Sequence, residues 1–448
     1  MLTVIVRAGS DASAVQSALR PHYGDARLGY EVISAGGVRG ESLVRRVVEE
    51  ASRRRSYVVV LLGREDRHLA GDIMASRPND LLSVVTLRKR KVRNARMSEL
   101  LEAVELGKAM IRNSVCWSAS NSCYRLGVGG EELDFPKDFV SDPFLIYGRG
   151  LKALSMLAGA AIRGSALLVR RESGKHLVFV GSEVVAELKF SEGKSKPEVL
   201  QACSKGGVLE GASPECLGPL NEGRLAMMEM IGVEFLRSVS EALGISAAIV
   251  PLSGGKDSAA ALSIAVKAFG SESVKAVYVD TGVDFKINCE HAETLASMFG
   301  VEFSVVRAPV REEIIAGREL PTHSSRWCTR LKIGALMRKC AELAGGRKAL
   351  VVAGARDSES RARELEPYVG RVGDNLFKVS PVRHWSTIEC QAYCIAKGIP
   401  LNPLYELGFY RIGCFICPSL RSWERFIMRL FSEDIRGWVP GLGSSNKS

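Results

Sequence analysis

The chain has 448 residues, 46% of them hydrophobic and 25% charged, with a formal net charge of +11. That length is more than one core holds comfortably and predicts two or three domains. No apolar run approaches the roughly 20 residues that span a bilayer, which excludes a membrane-embedded class.

The opening residues, MLTVIVRAGSDAS, lack a basic leader and a long apolar stretch, so they read as a first strand and the expected compartment is the cytoplasm. The 11 cysteines, an odd number scattered along a long chain, then predict buried thiols plus a metal or reactive set rather than disulfides. Residues 1–113 alternate strand and helix signals. Leu2–Val6, Tyr57–Leu62 and Leu82–Leu87 read as strands, and Glu41–Ser52 and Met97–Met110 as helices. This first quarter holds 20 Lys and Arg against 13 Asp and Glu. Its basic clusters are Arg53-Arg54-Arg55 and Arg88-Lys89-Arg90-Lys91 with Arg93 and Arg96. Such runs are either solvated faces or a surface for a polyanion such as RNA.

Residues 114–215 change to glycine turns and short alternating runs. Ala166–Arg170, His176–Val180 and Val184–Phe190 read as consecutive strands of a β-rich module or small barrel. Leu145 to Phe190 resembles a PUA-type RNA-binding barrel. Cys116, Cys123, Cys203 and Cys216 could pair as a zinc ribbon, but their spacings fit neither C-x2-C nor C-x4-C, which favours structural thiols.

A helix over Asn221–Leu243 leads into residues where strand and helix alternate again: strands at Val274–Val279, Val301–Val306 and Ala349–Ala353, helices at Ile287–Phe299, Leu331–Ala344 and Thr387–Ala396. The alternation predicts an α/β, doubly wound parallel sheet with ligands at the C-terminal strand ends. Residues 216–448 form this third domain. Its first unit is a buried strand, Ser246–Leu252, then Ser253-Gly254-Gly255-Lys256-Asp257-Ser258, then a helix ending at Gly270. Two glycines between a strand and a helix N-terminus leave amides free for phosphate oxygens. Lys256 adds charge, Ser253 and Ser258 add hydroxyls, and Asp257 suits a Mg²⁺ held against the phosphate. The loop is not a Walker A loop, because Val250 stands where that pattern needs glycine.

Further on, Asp280-Thr281-Gly282 ends a strand, as either a ribose acceptor or an ordinary turn. Gly354-Ala355-Arg356-Asp357-Ser358-Glu359-Ser360-Arg361 follows another strand end, where Gly354 permits close approach and Arg356 offers a bidentate fork. With Arg326-Trp327-Cys328-Thr329, Val379-Ser380-Pro381-Val382-Arg383-His384-Trp385 and Asn402-Pro403-Leu404-Tyr405, these segments lead to Gly413-Cys414-Phe415-Ile416-Cys417.

In order and wording they resemble the phosphoadenosine-phosphosulfate (PAPS) reductase family of the PP-loop, or N-type ATP pyrophosphatase, superfamily. The likeness runs over roughly 246–424, as in an archaeal-type multidomain member with an N-terminal extension. It implies nucleotide binding by Ser253, Gly254, Gly255, Lys256, Asp257, Ser258, Asp280, Thr281, Gly282, Gly354 and Arg356. It implies catalytic roles for Lys256, Asp257, Arg356 and Cys328, and a thiolate set of Cys328, Cys414 and Cys417 suited to a [4Fe–4S] cluster or zinc. Cys328 stands alone where cluster-bearing reductases carry Cys-Cys, and no cysteine follows Cys417 to act as the nucleophile of cluster-free ones. These departures point to an enzyme that adenylates an acceptor with ATP–Mg²⁺ and delivers sulfur to it. The acceptor expected is an RNA such as tRNA, held by the basic N-terminal region, with a separate sulfur donor. The alternatives are a PAPS or adenosine phosphosulfate (APS) reductase producing sulfite, and a non-catalytic RNA- or nucleotide-binding protein.

Overall fold

The computed structural model describes residues 1–202 and 206–439. The first domain is a parallel sheet of β1 (Leu2–Val6), β2 (Tyr30–Ser34), β3 (Tyr57–Leu62) and β4 (Leu82–Thr86) in the order β2-β1-β3-β4. Every residue of β1 and β3 is buried, because helices cover both faces. Leu2, Val4 and Val6 pack toward the helices Gly9–Tyr23 and α1 (Met97–Arg112), whereas Ile5, Val58 and Val60 pack toward Glu41–Ser52. Three elements escaped the pattern reading, among them the short helix Ala70–Ala75. Gly9–Tyr23 carries Gly9, three serines and Pro21, all weak helix formers. In β2 only Tyr30 is fully buried, so its apolar signal is short.

The second region holds five antiparallel strands: β5 (Asp142–Tyr147), β6 (Ser165–Arg170), β7 (Lys175–Val180), β8 (Glu183–Lys189) and β9 (Glu198–Ala202). Their order, β9-β8-β7-β6-β5, is an open meander rather than a closed barrel among the described residues. Both faces are covered. Leu145, Leu167, Val169 and Phe179 join the core shared with the first domain, while Phe144, Ile146, Leu168 and Val178 pack with Trp423, Phe426 and Ile427. The edge of β5 is closed by a side chain: Gln391 bonds both the amide and the carbonyl of Leu145 at 2.9 Å. An edge paired in this way is not free to template another chain.

The expectation of unpaired thiols is corrected here. Cys123 and Cys216 form a disulfide with Cα atoms 6.2 Å apart, although 93 residues separate them. Tertiary approach decides such a pair, and spacing cannot show it. Cys116 is free and buried; Cys203 lies outside the described residues.

From α2 (Glu222–Leu243) the chain enters the third sheet: β10 (Ala248–Pro251), β11 (Val274–Asp280), β12 (Glu302–Arg307), β13 (Ala349–Val352), β14 (Val369–Arg371) and β15 (Leu376–Val379). The order is β12-β11-β10-β13-β15-β14, parallel except for β14. The helices α3 (Lys256–Phe269), α4 (Trp327–Ala344) and α5 (Thr387–Ala396) connect or cover these strands. Winding runs outward from β10 to β12 and then returns to β13. The switch point therefore lies at the C-terminal ends of β10 and β13, where such sheets hold ligands. No helix of the described residues is long and apolar enough to cross a membrane.

A buried arginine joins the regions. Arg224 on α2 reaches Glu389 on α5 at 2.6 Å, and the carbonyls of Asp80 and Ile111 in the first domain at 2.9 Å each. Replacing one partner of such a pair leaves the other charged and dry. Arg224→Met is expected to lower unfolding stability by about 3–5 kcal/mol, read by denaturant titration, with Glu389→Gln added to the same chain recovering part of the loss.

Candidate nucleotide site

After β10 the backbone turns through Gly254 at φ +76°. A Cβ there would stand 2.4 Å from the Asn288 carbonyl oxygen, so only glycine fits. Helix α3 starts at Lys256, and its N-cap, Gly255, offers no side-chain acceptor. The Ser253 amide donates to Ser258 Oγ at 3.2 Å and the Lys256 amide to the Tyr405 hydroxyl at 3.2 Å. Among the described residues the amides of Gly254, Gly255, Asp257 and Ser258 find no acceptor. Four open N–H groups at the positive end of a helix favour an anion.

The charged side chains form a chain of alternating sign. Lys256, 2% exposed, places Nζ 3.0 Å from Asp257 Oδ2. Asp257 Oδ1 lies 2.8 Å from Arg356 Nε. Arg356 continues to Asp142 at 3.2 Å, Ser358 Oγ at 2.7 Å and Thr387 Oγ1 at 2.7 Å. Asp142, at the head of β5, also accepts from the Thr387 amide at 2.7 Å and the Tyr410 hydroxyl at 2.8 Å. Burial works against every one of these charges. Asp257 and Tyr405 nevertheless hold the Lys256 ammonium above its ordinary value, and Arg356 and Lys256 hold the Asp257 carboxyl below its own. Gly354 follows β13 so closely against α3 that a Cβ would meet the Asp257 carbonyl at 2.5 Å.

Arg356 thus stands beside the loop with its fork committed to protein partners. Next to it is a cavity of about 310 Å³ lined by Arg356, Arg363, Arg371, Lys378 and Arg383 with Asp357 and Glu366. Asp357 faces away from the loop. It pairs with Lys108 of α1 at 2.8 Å, Arg383 at 3.1 Å and His384 Nδ1 at 3.0 Å, and the Tyr368 hydroxyl meets His384 Nε2 at 2.9 Å. His384 is part of this buried network, its ring pushed down to about 3 by burial.

Asp280, Thr281 and Gly282 form a turn at the end of β11. Asp280 accepts from the Gly282 amide at 2.7 Å and pairs with Arg307, while the Thr281 amide and hydroxyl donate to Asp284 at 3.1 and 2.5 Å. The three thiols gather at this same edge. Cys414 donates to Asp284 Oδ1 at 3.2 Å, Cys417 lies 3.9 Å from Arg411 Nη2, and Cys328 sits on the first turn of α4. Lys332 on α4 lies within electrostatic reach of all three thiols and of Asp284; burial lowers its pKa, and these four groups raise it above its ordinary value. Burial first, and Asp284 next, push the Cys414 thiol up to about 12.

No three His, Cys, Asp or Glu side chains among the described residues stand where one metal ion could take them. The thiols cluster around an ammonium, and both Asp257 oxygens face cations. As arranged, neither set is a metal site. Cys340 is fully buried among apolar neighbours, whereas Cys390 and Cys394, equally buried, back the loop: Cys390 lies beside Asp257, and Cys394 donates to the Lys256 carbonyl at 3.8 Å. Asp142, Lys108 and Asp284 were missed from sequence. Asp284, two residues beyond Gly282, had a local signal; Asp142 had none, since its partner lies 214 residues away.

Two outcomes follow from this geometry. Gly254→Ala is expected to weaken ATP binding at least tenfold and to lower the thermal midpoint, because its methyl meets backbone. Gly255→Ala, whose Cβ has 3.4 Å to the nearest atom, is expected to keep the midpoint; calorimetry on both checks the contrast. The second concerns pH. The folded chain refuses a proton at His384 until about pH 3, whereas the unfolded chain accepts it near pH 6.5. Stability supplied by neutral His384 is therefore present above pH 6.5 and lost as pH falls toward 3. Below pH 6, the stability difference between wild type and His384→Gln is expected to shrink by up to about 1.4 kcal/mol per pH unit. Urea titrations at pH 6, 5 and 4 measure it.

Residues 247–420 match the phosphoadenosine phosphosulfate reductase domain. The chain is similar to an uncharacterized protein of Methanocaldococcus jannaschii, 29% identical over 206 residues, which are 46% of this chain and 42% of that protein. It is also similar to an adenosine 5'-phosphosulfate reductase of Chelativorans sp., 28% identical over 166 residues, 36% of this chain and 65% of the relative. The matched stretches thus span less than two thirds of either relative. A solved phosphoadenylyl-sulfate reductase from Candida auris, in a phosphate complex, is 18% identical, covers 44% of this chain and 97% of its own, and has a TM-score of 0.33. The loop at 253–258, the strand-end motif at 354–361 and the paired cysteines at 414 and 417 all lie inside the matched residues, so the likeness to the phosphoadenosine phosphosulfate reductase domain takes in the whole candidate site.

Proposed function

We propose that this chain is an ATP-dependent sulfurtransferase acting on RNA. One observation carries the reading: four open amides and the Lys256–Asp257–Arg356 chain share a sheet edge with three thiols set around Lys332. The loop amides hold the β- and γ-phosphates of ATP, which enters as its magnesium complex, and Lys256 takes up charge developing on them. A carbonyl oxygen of the acceptor base attacks the α-phosphorus and pyrophosphate leaves, giving an O-adenylated acceptor. The terminal sulfur of a cysteine persulfide, loaded by a persulfide donor, then attacks the carbon bearing that oxygen, and AMP departs with it. A second cysteine thiolate breaks the resulting S–S bond. Sulfur stays on the acceptor, and the enzyme's cysteines, left as a disulfide, need a thiol reductant. Cys414, protonated and bonded to Asp284, is poorly suited to attack; Cys417 and Cys328, facing Arg411 and Lys332, fit the two thiolate roles.

A cluster on Cys328, Cys414 and Cys417 is the competing use of the same thiols, and the lysine among them counts against it. The family's named reductases support a second reading, in which PAPS or APS is the nucleotide and sulfite the product. With anaerobically purified protein we expect ATP- and RNA-dependent release of pyrophosphate and AMP in equal amounts, and no sulfite from PAPS or APS. Cys417→Ser is expected to abolish sulfur incorporation, by at least a hundredfold, while leaving pyrophosphate release within threefold. Sulfite formation at enzymatic rates would move the assignment to the reductases, and stoichiometric iron and sulfide lost in Cys417→Ser would move the thiols to a cluster.

A further inference from the structure

The two basic clusters of the first domain have different fates. Arg53, Arg54 and Arg55 sit just before β3, at the N-terminal edge of the first sheet, where each faces a carboxylate of the protein although Arg53 and Arg55 stay exposed. Arg54 pairs with Glu31 and Glu50, Arg55 with Glu234 on α2 at 2.8 Å, and Arg53 lies 3.9 Å from Glu50. This edge faces the third domain: Tyr57 meets His384 with ring centres 5.0 Å apart, and Tyr30 meets Tyr368 at 6.1 Å.

The opposite, C-terminal edge collects the second cluster together with cations that no run in the sequence announced. The loops there are tied to one another. The Gly37 amide donates to the Arg7 carbonyl at 2.8 Å, the Arg64 amide to the Arg90 carbonyl at 2.9 Å, and the Arg93 amide to Asp11 at 3.0 Å. On this scaffold Arg39 after β2, Arg64 and Arg67 after β3, and Arg88, Lys89 and Arg90 after β4 are all exposed. Among the described residues none of the six has a carboxylate within salt-bridge distance, although Arg39 lies within electrostatic reach of Glu65. The acids nearby, Glu65 and Asp66, are already paired with Arg7 at 2.6 and 2.8 Å. Six exposed cations outside any salt bridge, on three loops at the C-terminal ends of parallel strands, form a positive surface. The large apolar side chains exposed close by are Val38 and Met97; the aromatic anchors of a membrane-binding face are missing.

We infer that this edge is a docking surface for the phosphate backbone of an RNA, an inference that rests on the reading of RNA as the acceptor. The surface lies across the full depth of the first sheet from the third domain. β3 alone, six residues long, spans about 20 Å. An RNA touching both this edge and the nucleotide loop must be longer than that, so the contact selects a folded or extended RNA over a mononucleotide.

The test uses the full chain, an unmodified tRNA transcript and the triple variant Arg88→Gln/Lys89→Gln/Arg90→Gln, with Arg53→Gln/Arg55→Gln as control. At 100 mM salt the triple variant should bind the transcript at least tenfold more weakly. The slope of log affinity against log salt should fall by about 2–3, one unit or slightly less per lost phosphate contact. The control should stay within twofold, and all three proteins should keep the same thermal midpoint. Unchanged affinity and slope in the triple variant overturn the surface. So does equally tight, equally edge-dependent binding of polyglutamate or of phosphatidylglycerol vesicles. Edge-dependent RNA binding without RNA-dependent pyrophosphate release would keep the surface and sink the sulfurtransferase reading instead.

Discussion

The ion chain Asp142–Arg356–Asp257–Lys256 is the constraint on which the rest of this structure depends. Each member is buried or nearly so, and each is tolerable there only because its neighbours carry the opposite sign. The chain fixes the loop's lysine from below, so the open amides at 254–258 and the ammonium beside them have one geometry before any nucleotide arrives. Preorganisation of that kind is what an anion-binding loop needs, because reorganising charges during reaction would cost more than the contacts return. It also reassigns Arg356. Its guanidinium lies against Asp257, which in turn holds Lys256, while in the cavity beside it Arg363, Arg371 and Lys378 are paired with Glu359, Asp374 and Glu366.

Around that chain the other regions act as walls. The first domain sends Lys108 to Asp357, and the meander sheet sends Asp142 to Arg356. Arg224 and Gln391 stitch the same interfaces through carbonyls and a strand edge. The polar contacts between regions concentrate behind the strand-end motif at 354–361, where the third domain alone would leave several like charges close together.

What could be read from sequence follows from range. The loop at 253–258 is local: strand, two glycines and helix are contiguous, and the alternation of apolar strands and helices foretold the doubly wound sheet around it. The hairpin of β14 and β15 was not foretold, since three- and four-residue strands carry little pattern. Cys123 and Cys216 looked like separate thiols for the same reason that Asp142 looked like an ordinary strand residue: their partners are set by tertiary packing. Charge runs were legible as runs but not as surfaces. Folding set Arg53–Arg55 against carboxylates and left Arg88–Arg90 open, and it added Arg39, Arg64 and Arg67 from two other loops.

The salt bridge between Lys108 and Asp357 has a consequence for how such a protein can be cut. A fragment beginning near residue 216 would contain all the matched residues yet would take Asp142 from Arg356 and Lys108 from Asp357, leaving each with fewer counter-charges. The N-terminal half of this chain is accordingly a structural creditor of the nucleotide site rather than an appendage.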